Sequence, residues 1–314
     1  MCRNLEGIKG GVVLNPVVSL LRSCQRIISN MKKRVLSLII LMTLSSQLCF
    51  AYPMPNPFPP FHIAGNLYYV GTDDLASYLV VTPKGNILIN SSLEANVPMI
   101  KESIEKLGFK FSDTKILLIS HAHHDHAAGS QSIKLQTNAQ YMVMDADVPE
   151  VQSGGKSDFH YGNDPSVYFP ITTVDKALHD GEQVKLGGTV LTAHLTAGHT
   201  KGCTTWTMQV IDHGKQYQAV VIGSLGVNPG YKLVDNTAYP NIAEDYEHAI
   251  KVLKSLHCDI FLGAHAMMFD LNKKYDSLNH STINPFIDPK GYQKYITQKE
   301  HDFYAELQKQ KAEL

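Results

Sequence analysis

The sequence contains little cysteine and no excess of positive charge. Three of its five cysteines lie in the first 51 residues, so residues 52–314 keep only Cys203 and Cys258. Two cysteines, bonded to each other or free, exclude a disulfide-rich scaffold. Residues 1–51 carry seven of the 28 basic residues and one of the 29 acidic ones, which leaves 21 basic and 28 acidic residues, a net charge of −7, in residues 52–314. This acidic body argues against nucleic acid as a partner.

The sequence also lacks an apolar run long enough to span a bilayer as a helix. The run from Val35 to Leu44 is too short. It follows the basic stretch Met31-Lys32-Lys33-Arg34 and precedes Cys49-Phe50-Ala51, which has the small residues of a cleavage site. These features predict a signal peptide that is cleaved after Ala51, and hence a periplasmic protein. An uncleaved membrane anchor is the alternative.

The same pattern predicts three segments with different roles. Residues 31–51 form the signal peptide, and residues 52–314 form the folded domain. Residues 1–30 precede a complete signal peptide, so we interpret them as an extension from a start codon assigned too early, with Met31 as the true start.

The most informative stretch is SHAHHDHAAG, residues 120–129, which holds four imidazoles and one carboxylate within six residues. The apolar run before it, which ends at Ile119, predicts a buried strand. Imidazole and carboxylate together suit a borderline cation such as zinc. A solvated, histidine-rich loop that binds nothing is the alternative.

The spacing of these side chains predicts two metals. Side chains alternate along an extended segment, so His121 and His123 point the same way and can bind one ion. Asp125 and His126 are adjacent and can bind a second ion beside it. His124 is interpreted as a spacer between them.

Hydrophobic periodicity and turn residues predict two successive halves, each with strands followed by helices. The predicted strands cover residues 66–70, 77–81, 87–89, 115–119, 141–144, two within 181–195, 204–210, 218–222 and 259–262. The predicted helices cover residues 98–107, 130–135, 145–152, 242–256 and the tail from Tyr292. Two such halves suggest two sheets packed face to face with helices outside, so that the histidine-bearing loops meet at one rim.

Two further histidines lie in loops of the right kind. His199 sits in the tight loop Gly198-His199-Thr200, and His265 follows a short apolar strand and Gly263. A lone histidine is more often a structural residue, but the cluster at 121–126 favours a ligand role for both. The Gly- and aromatic-rich segment 153–169 predicts a long loop, which is either functional or a plain surface loop.

These three histidine motifs resemble those of the metallo-β-lactamase superfamily, and the resemblance covers residues 52–314. More narrowly, the sequence is similar to the third subclass of zinc β-lactamases, because Ser224 stands where other subclasses have a cysteine ligand. The resemblance implies an α+β fold, the four-layer αβ/βα sandwich. It implies two zinc ions, which it assigns to two ligand sets: His121, His123 and His199 for the first, and Asp125, His126 and His265 for the second.

The resemblance also implies an activity. Such an enzyme opens the β-lactam ring of penicillins, cephalosporins and carbapenems, through a hydroxide shared by the two zinc ions and without an acyl-enzyme, and so gives antibiotic resistance. Asp125 would orient that hydroxide as the catalytic residue. Ser224 and Asn228 would bind substrate, with a turn-forming role as the alternative for Asn228. The expected partners are small-molecule β-lactams, with neither nucleic acid nor membrane bound by the mature form, and a monomer is expected.

The sequence departs from the family pattern at two places. Asn90 stands where many members have an aspartate, which leaves in doubt the group that supports the metal ligands. Tyr292 stands near the position where relatives have a cysteine that pairs with the equivalent of Cys258, so that disulfide is expected to be absent.

Three other functions remain open at this point, because a fold does not fix a substrate. The first is a hydrolase of thioesters or lactones on the same fold. The second is a di-iron redox enzyme with a flavin, although such sites favour glutamate where this sequence has His123. The third is a zinc carrier without catalysis, which would tolerate the loss of a ligand.

Overall fold

The computed structural model describes residues 55–313. The predicted start extension and signal peptide lie outside this range. The strands are β1 Phe61–Ala64, β2 Leu67–Tyr69, β3 Tyr78–Thr82, β4 Gly85–Ile89, β5 Thr114–Leu118, β6 Gln140–Met144, β7 Lys176–Leu178, β8 Gln183–Leu186, β9 Thr189–Leu195, β10 Thr204–Asp212, β11 Lys215–Ile222 and β12 Ile260–Gly263. The helices are α1 Val97–Lys106, α2 His124–Ala127, α3 Ser130–Thr137, α4 Val148–Ser153, α5 Ile242–Ser255, α6 Leu271–Leu278 and α7 Pro289–Ala312.

The first sheet contains β1 to β7 in sequence order. Its first four strands form the predicted antiparallel meander, and β4 to β7 pair in parallel. Apolar residues alternate between its two faces. In β5, for example, Ile116 and Leu118 face the second sheet, whereas Leu117 packs against the outer helices.

The second sheet has the order β12-β11-β10-β9-β8. Strands β8 to β11 are antiparallel, and β11 pairs with β12 in parallel. Because of this parallel pair, the chain leaves β11 and β12 at the same edge of the sheet.

The two sheets pack face to face, and helices cover the outer face of each. The outer face of the first sheet packs against α1 through Val97, Ile100 and Ile104. The core between the sheets continues into α5 and α7, which contribute side chains such as Tyr246 and Phe303. This arrangement confirms the predicted α+β class and the four-layer αβ/βα sandwich.

Hydrogen bonds join the two sheets at one rim. Trp206 Nε1 of β10 donates to the Ile119 carbonyl over 3.0 Å, and the Thr204 amide donates to the Ser120 carbonyl over 2.7 Å. On the other side, the hydroxyl of Tyr78 in β3 donates to the Gly263 carbonyl at the end of β12 over 2.7 Å. The segments that follow β5 and β12 therefore start from fixed points on the same rim.

Three elements differ from the sequence prediction. The sequence did not predict β1 at Phe61–Ala64, β7 at Lys176–Leu178 or α6 at Leu271–Leu278. Both cysteines of the described region are free and buried. No helix within residues 55–313 has the length and apolar character needed to cross a membrane.

Candidate metal centre

The segment after β5 carries four of the six predicted ligands. His121 and His123 lie in the irregular stretch that follows the strand, whereas Asp125 and His126 lie on the helical turn α2. The sequence pattern alone did not predict this turn, in which the Ala127 amide donates to the His123 carbonyl over 2.9 Å. At Gly129 a Cβ atom would collide with the Ser91 carbonyl, so glycine is needed for the chain to pass there.

His199 lies in the loop between β9 and β10. Gly198 has a φ of +127° and packs against the Tyr246 ring, where a Cβ would lie 2.7 Å from the nearest ring carbon. His199 Nδ1 lies 2.7 Å from the Gly226 carbonyl oxygen. A carbonyl can only accept, so this contact puts the proton on Nδ1 and leaves the Nε2 lone pair available for a metal.

The rings of His121, His123 and His199 form a triangle. Their centroids are separated by 4.9 Å for the pair 121 and 123, and by 4.7 Å for each of the other two pairs. One possible ligand atom from each residue lies within 4.8 Å of the others. His121 is 1% exposed and its Nε2 has no hydrogen-bond partner. A metal ion bound to Nε2 would explain why this buried nitrogen, which faces two other imidazoles, has no hydrogen-bond partner.

The possible ligand atoms of the second set, which contains Asp125, His126 and His265, lie close together. His126 Nε2 lies 3.1 Å from His265 Nε2 and 3.3 Å from Asp125 Oδ2, and Asp125 Oδ2 lies 3.5 Å from His265 Nε2. A tetrahedral ion with ligand bonds of about 2.0–2.1 Å separates its ligand atoms by about 3.3–3.4 Å. The donor types and the three distances therefore fit one metal ion. Asp125 and His126 also lie within 4.8 Å of a ligand atom of His121, so the two sets adjoin.

Burial keeps most of these imidazoles neutral, which is the form that binds metal. Burial, reinforced by neighbouring histidines, holds the pKa of His121 well below its ordinary value. The same causes, burial first and then His123, lower the pKa of His199 to about 3. Burial also lowers the pKa of His126 although Asp125 opposes the shift.

The pKa values of Asp125 and His265 shift in the direction opposite to the one that burial alone would give. Burial would raise the pKa of Asp125, but the charges of His126 and His265 and a hydrogen bond from His126 hold it well below the ordinary value. Burial would lower the pKa of His265, but Asp74 and Asp125 raise it. The second set therefore contains an ionised carboxylate and one imidazole that retains its proton to a higher pH.

Two carboxylates that the sequence analysis did not identify lie beside ring nitrogens of the candidate ligands. Asp74 Oδ1 lies 3.3 Å from His265 Nδ1, and Asp158 Oδ2 lies 3.6 Å from His123 Nε2. Burial opposes ionisation of Asp158, but its contacts with His123 and with the amides of His160 and Tyr161 lower its pKa to about 2. Asp158 belongs to the Gly- and aromatic-rich loop 153–169, which the sequence predicted, whereas no feature of the sequence indicated Asp74.

The Asn90 side chain does not contact a metal ligand but fixes the chain before them. Its Nδ2 donates to the Ala76 carbonyl over 3.1 Å, and its Oδ1 accepts from the Ser120 amide over 2.7 Å. An aspartate could not make both bonds when ionised, because a carboxylate only accepts. The amide of Asn90 therefore satisfies both partners at this position, where the resemblance implies an aspartate in many members.

The two expected substrate-binding residues lie on the loop after β11. Ser224 is 4% exposed, and its hydroxyl accepts from the Gly226 amide over 3.1 Å. Asn228 Nδ2 donates to the Tyr161 hydroxyl over 3.1 Å. The Tyr161 ring lies 5.5 Å from the His123 ring, so the loop 153–169 borders the first ligand set.

Comparison with known proteins agrees with this geometry. A family model of the metallo-beta-lactamase superfamily matches residues 71–265. The native FEZ-1 metallo-beta-lactamase from Legionella gormanii is 76% identical, with a TM-score of 0.82 over 83% of this chain and 99% of that one. The metallo-beta-lactamase GOB-18 from Elizabethkingia meningoseptica is 41% identical, with a TM-score of 0.75 over 81% and 94% of the two chains.

A third relative defines the subclass. BJP-1, a subclass B3 metallo-beta-lactamase of Bradyrhizobium japonicum, is 36% identical, with a TM-score of 0.77 over 83% of this chain and 98% of that one. The family model and these three structures confirm the resemblance predicted from the histidine motifs and Ser224. On these grounds the chain belongs to the metallo-β-lactamase superfamily and, within it, to subclass B3.

Proposed function

We propose that this protein hydrolyses the amide bond of β-lactams, including penicillins, cephalosporins and carbapenems, in a zinc-dependent reaction that gives antibiotic resistance. The observation that carries the proposal is the pair of adjoining ligand sets, with three donor atoms of the second set 3.1–3.5 Å apart. The relatives named above, which share up to 76% of their residues with this chain, are themselves metallo-β-lactamases.

The donor sets support two zinc ions per chain. His121, His123 and His199 would hold one ion, and Asp125, His126 and His265 the other; imidazole and carboxylate without thiolate are common zinc ligands. When bound, the ions supply Lewis acidity, which lowers the pKa of a water molecule to about 7 and polarises the lactam carbonyl.

Asp125 is the catalytic residue of the proposal. Its Oδ2 faces the imidazoles of His126 and His265 at 3.3 and 3.5 Å. The other oxygen of the same carboxylate would accept a hydrogen bond from the attacking water and orient it towards the carbonyl carbon. The low pKa of Asp125 suits this role, since the carboxylate stays ionised and keeps its acceptor capacity.

The surrounding side chains support direct attack by water without an acyl-enzyme. Ser120 Oγ lies 3.1 Å from His121 Nδ1, which resembles a serine–histidine pair, but Ser120 is fully buried and cannot meet a substrate. Cys203 is also fully buried, and burial raises the pKa of its thiol. Neither residue is therefore a competent nucleophile.

Ser224 and Asn228 would hold the substrate. The Ser224 oxygen accepts from the Gly226 amide, which leaves its hydroxyl hydrogen free to donate to a substrate carboxylate. Asn228 and Tyr161 form a hydrogen-bonded pair beside the ligands, which offers a second polar contact. Thioesters and lactones have an acyl carbon of similar reactivity, so hydrolases of these substrates are the alternative function.

The test of this proposal is turnover of nitrocefin and a carbapenem by the zinc-loaded protein and its Asp125→Asn variant. We expect the wild type to hydrolyse both, and the variant to lose about 10²–10⁴-fold in kcat, because a neutral amide oxygen is a weaker hydrogen-bond acceptor and a weaker metal ligand than the carboxylate. Asp113→Asn, at an exposed carboxylate, is the matched control and should be unchanged. Turnover of a lactone or a thioester but of neither β-lactam would favour the alternative.

We also propose that the protein acts in the periplasm as a monomer after removal of residues 31–51. The support for export is the basic stretch before Val35, the apolar run that follows it and the small residues at Cys49 and Ala51. N-terminal sequencing of the exported protein should give Tyr52 as the first residue, and any other start would refute this cleavage site.

A further inference from the structure

Asp147 is a buried carboxylate that the reaction proposed above does not use. It ends the 3₁₀ turn Asp145–Asp147, which follows β6, and it is 1% exposed. Its Oδ2 accepts from the Ala122 amide over 2.9 Å and from the Thr200 hydroxyl over 2.8 Å. Its Oδ1 accepts from the Gly202 amide over 2.6 Å. A buried carboxylate with three donors is strongly held.

The identity of these donors is informative. Ala122 lies between His121 and His123, and Thr200 follows His199 directly. Asp147 is thus hydrogen-bonded to both loops that supply the first ligand set. Its partners lie 25 residues away in the sequence for Ala122 and 53 residues away for Thr200. The loop at Gly202 approaches so closely that a Cβ there would lie 2.6 Å from the Asp147 carboxyl carbon.

The second ligand set is supported by other residues. The Ser91 hydroxyl donates to the His126 carbonyl over 2.9 Å, and Asp74 Oδ1 faces His265 Nδ1. Loss of the Asp147 carboxylate should therefore affect the two sets unequally.

We propose that Asp147 is a positioning residue that fixes the His121–His123 loop against the His199 loop and so sets the metal affinity of the three-histidine site. Its effect on turnover rests on the proposed function, whereas its effect on metal binding does not. A residue that only stabilised the fold would instead lower the stability of the metal-free protein and weaken both metal sites alike.

Four variants separate these roles. Asp147→Asn keeps the shape but replaces one acceptor oxygen by an NH₂ group, which must face an N–H or O–H donor. Thr200→Val replaces the hydroxyl by a methyl group, whereas Thr200→Ser keeps the hydroxyl. Asp145→Asn changes a carboxylate of the same turn that is paired with His179 at the surface, and it serves as the control.

The experiment measures Zn²⁺ binding to the metal-free protein by competition with a chromophoric chelator, with Co²⁺ absorption as a second readout. We expect Asp147→Asn to weaken one of the two equivalents by about 10- to 100-fold and to change the Co²⁺ spectrum, while the other equivalent stays within about threefold. Thr200→Val should weaken the same equivalent, and Thr200→Ser and Asp145→Asn should match the wild type.

Thermal unfolding of each metal-free variant accompanies the binding data. Equal weakening of both equivalents together with a lower Tm, or unchanged binding in both Asp147→Asn and Thr200→Val, would overturn the proposal. If Asp147→Asn fails to fold, the contrast between Thr200→Val and Thr200→Ser decides. Failure of the wild type to hydrolyse β-lactams would refute the proposed function but would leave these binding measurements valid.

Discussion

The Nε2 atoms of His126 and His265 lie 3.1 Å apart, although the two residues are 139 positions apart in the chain. His126 follows β5 of the first sheet, and His265 follows β12 of the second. The same rim brings His199 beside His121 and His123. Each ligand set thus combines residues from both halves of the sandwich, so metal binding depends on correct packing of the two sheets.

The two ligand sets should lose metal independently. We expect His265→Ala to bind one equivalent of zinc fewer than the wild type, because two donors of the second set remain and cannot hold the ion tightly. His199→Ala should lose the other equivalent for the same reason. Metal content after dialysis against a weak chelator, measured by mass spectrometry, checks this.

The control for these variants is His248→Ala, at an exposed histidine of α5 that is in neither set. It should retain the wild-type metal content. Full metal content in His265→Ala or His199→Ala would show that the residue is not a ligand.

Metal binding should respond to pH in two stages. A raised pKa means that His265 keeps its proton to a higher pH, and that proton competes with a metal. The pKa of His121 is lowered and that of His199 is lowered to about 3, so these two ligands stay neutral at a lower pH than His265 does. As the pH falls from 8 through about 6, near the ordinary pKa of histidine, we expect one equivalent of metal to dissociate first, from the set that contains His265.

Asp74 provides the check on this assignment. Asp74→Asn removes one of the two carboxylates that raise the pKa of His265 and should move the first dissociation to a lower pH, whatever it does to affinity at pH 8. Asp73→Asn, at the preceding carboxylate, should leave the dissociation pH unchanged. Loss of both equivalents in a single step, in wild type and Asp74→Asn alike, would contradict the prediction.

Asn90 should resist replacement by aspartate, even though many members of the superfamily have aspartate at this position. Asn90→Asp would place a buried carboxylate against the Ala76 carbonyl, which now accepts a hydrogen bond from the amide. We expect the free energy of unfolding to fall by about 1–3 kcal/mol, the cost of an unsatisfied buried group. Urea unfolding of the metal-free protein measures it.

Asn138 offers a closely matched control for Asn90. Both residues have positive φ values, +67° for Asn90 and +56° for Asn138, but Asn138 is exposed at the end of α3. Asn138→Asp should cost at most about 1 kcal/mol, from the helix dipole. Equal effects of the two substitutions would show that backbone conformation, and not the hydrogen bonds of Asn90, decides the cost.

The sequence could identify the candidate ligands because their signal is local. Histidines next to apolar strand ends and glycines mark candidate ligands without knowledge of the fold, and short apolar runs bounded by turn residues predicted strands such as β3, β4 and β5. The convergence of His199 and His265 on residues 121–126 required the sandwich, which the sequence suggested through its two similar halves and through the family resemblance.

Other features could not be read from the sequence. The helical turn at Asp125 depends on contacts of Gly129 with the segment around Ser91. β7 has three residues, too few for a periodicity to show. The supporting carboxylates Asp74, Asp147 and Asp158 resemble surface aspartates in sequence, since only the fold brings Asp74 beside His265 and buries Asp147 and Asp158 near the ligands.

The Tyr161 hydroxyl should contribute to substrate binding. It is paired with Asn228 beside the ligands, at 3.1 Å. We expect Tyr161→Phe to raise KM for β-lactams with little change in kcat, by the equivalent of one hydrogen bond. That is about 0.5–1.5 kcal/mol, or about two- to twelvefold. Steady-state kinetics check this, with Tyr304→Phe, on the exposed side of α7, as control. An unchanged KM would show that this loop does not contact the substrate.

The most direct test of a di-zinc β-lactamase is carbapenem hydrolysis by metal-free protein, residues 52–314, followed as zinc is added in known equivalents. We expect no turnover in the presence of a chelator, and activity that rises with zinc and saturates at two equivalents per chain. Full turnover in the chelator-treated protein, or two bound zinc ions without hydrolysis of any β-lactam, would contradict this expectation.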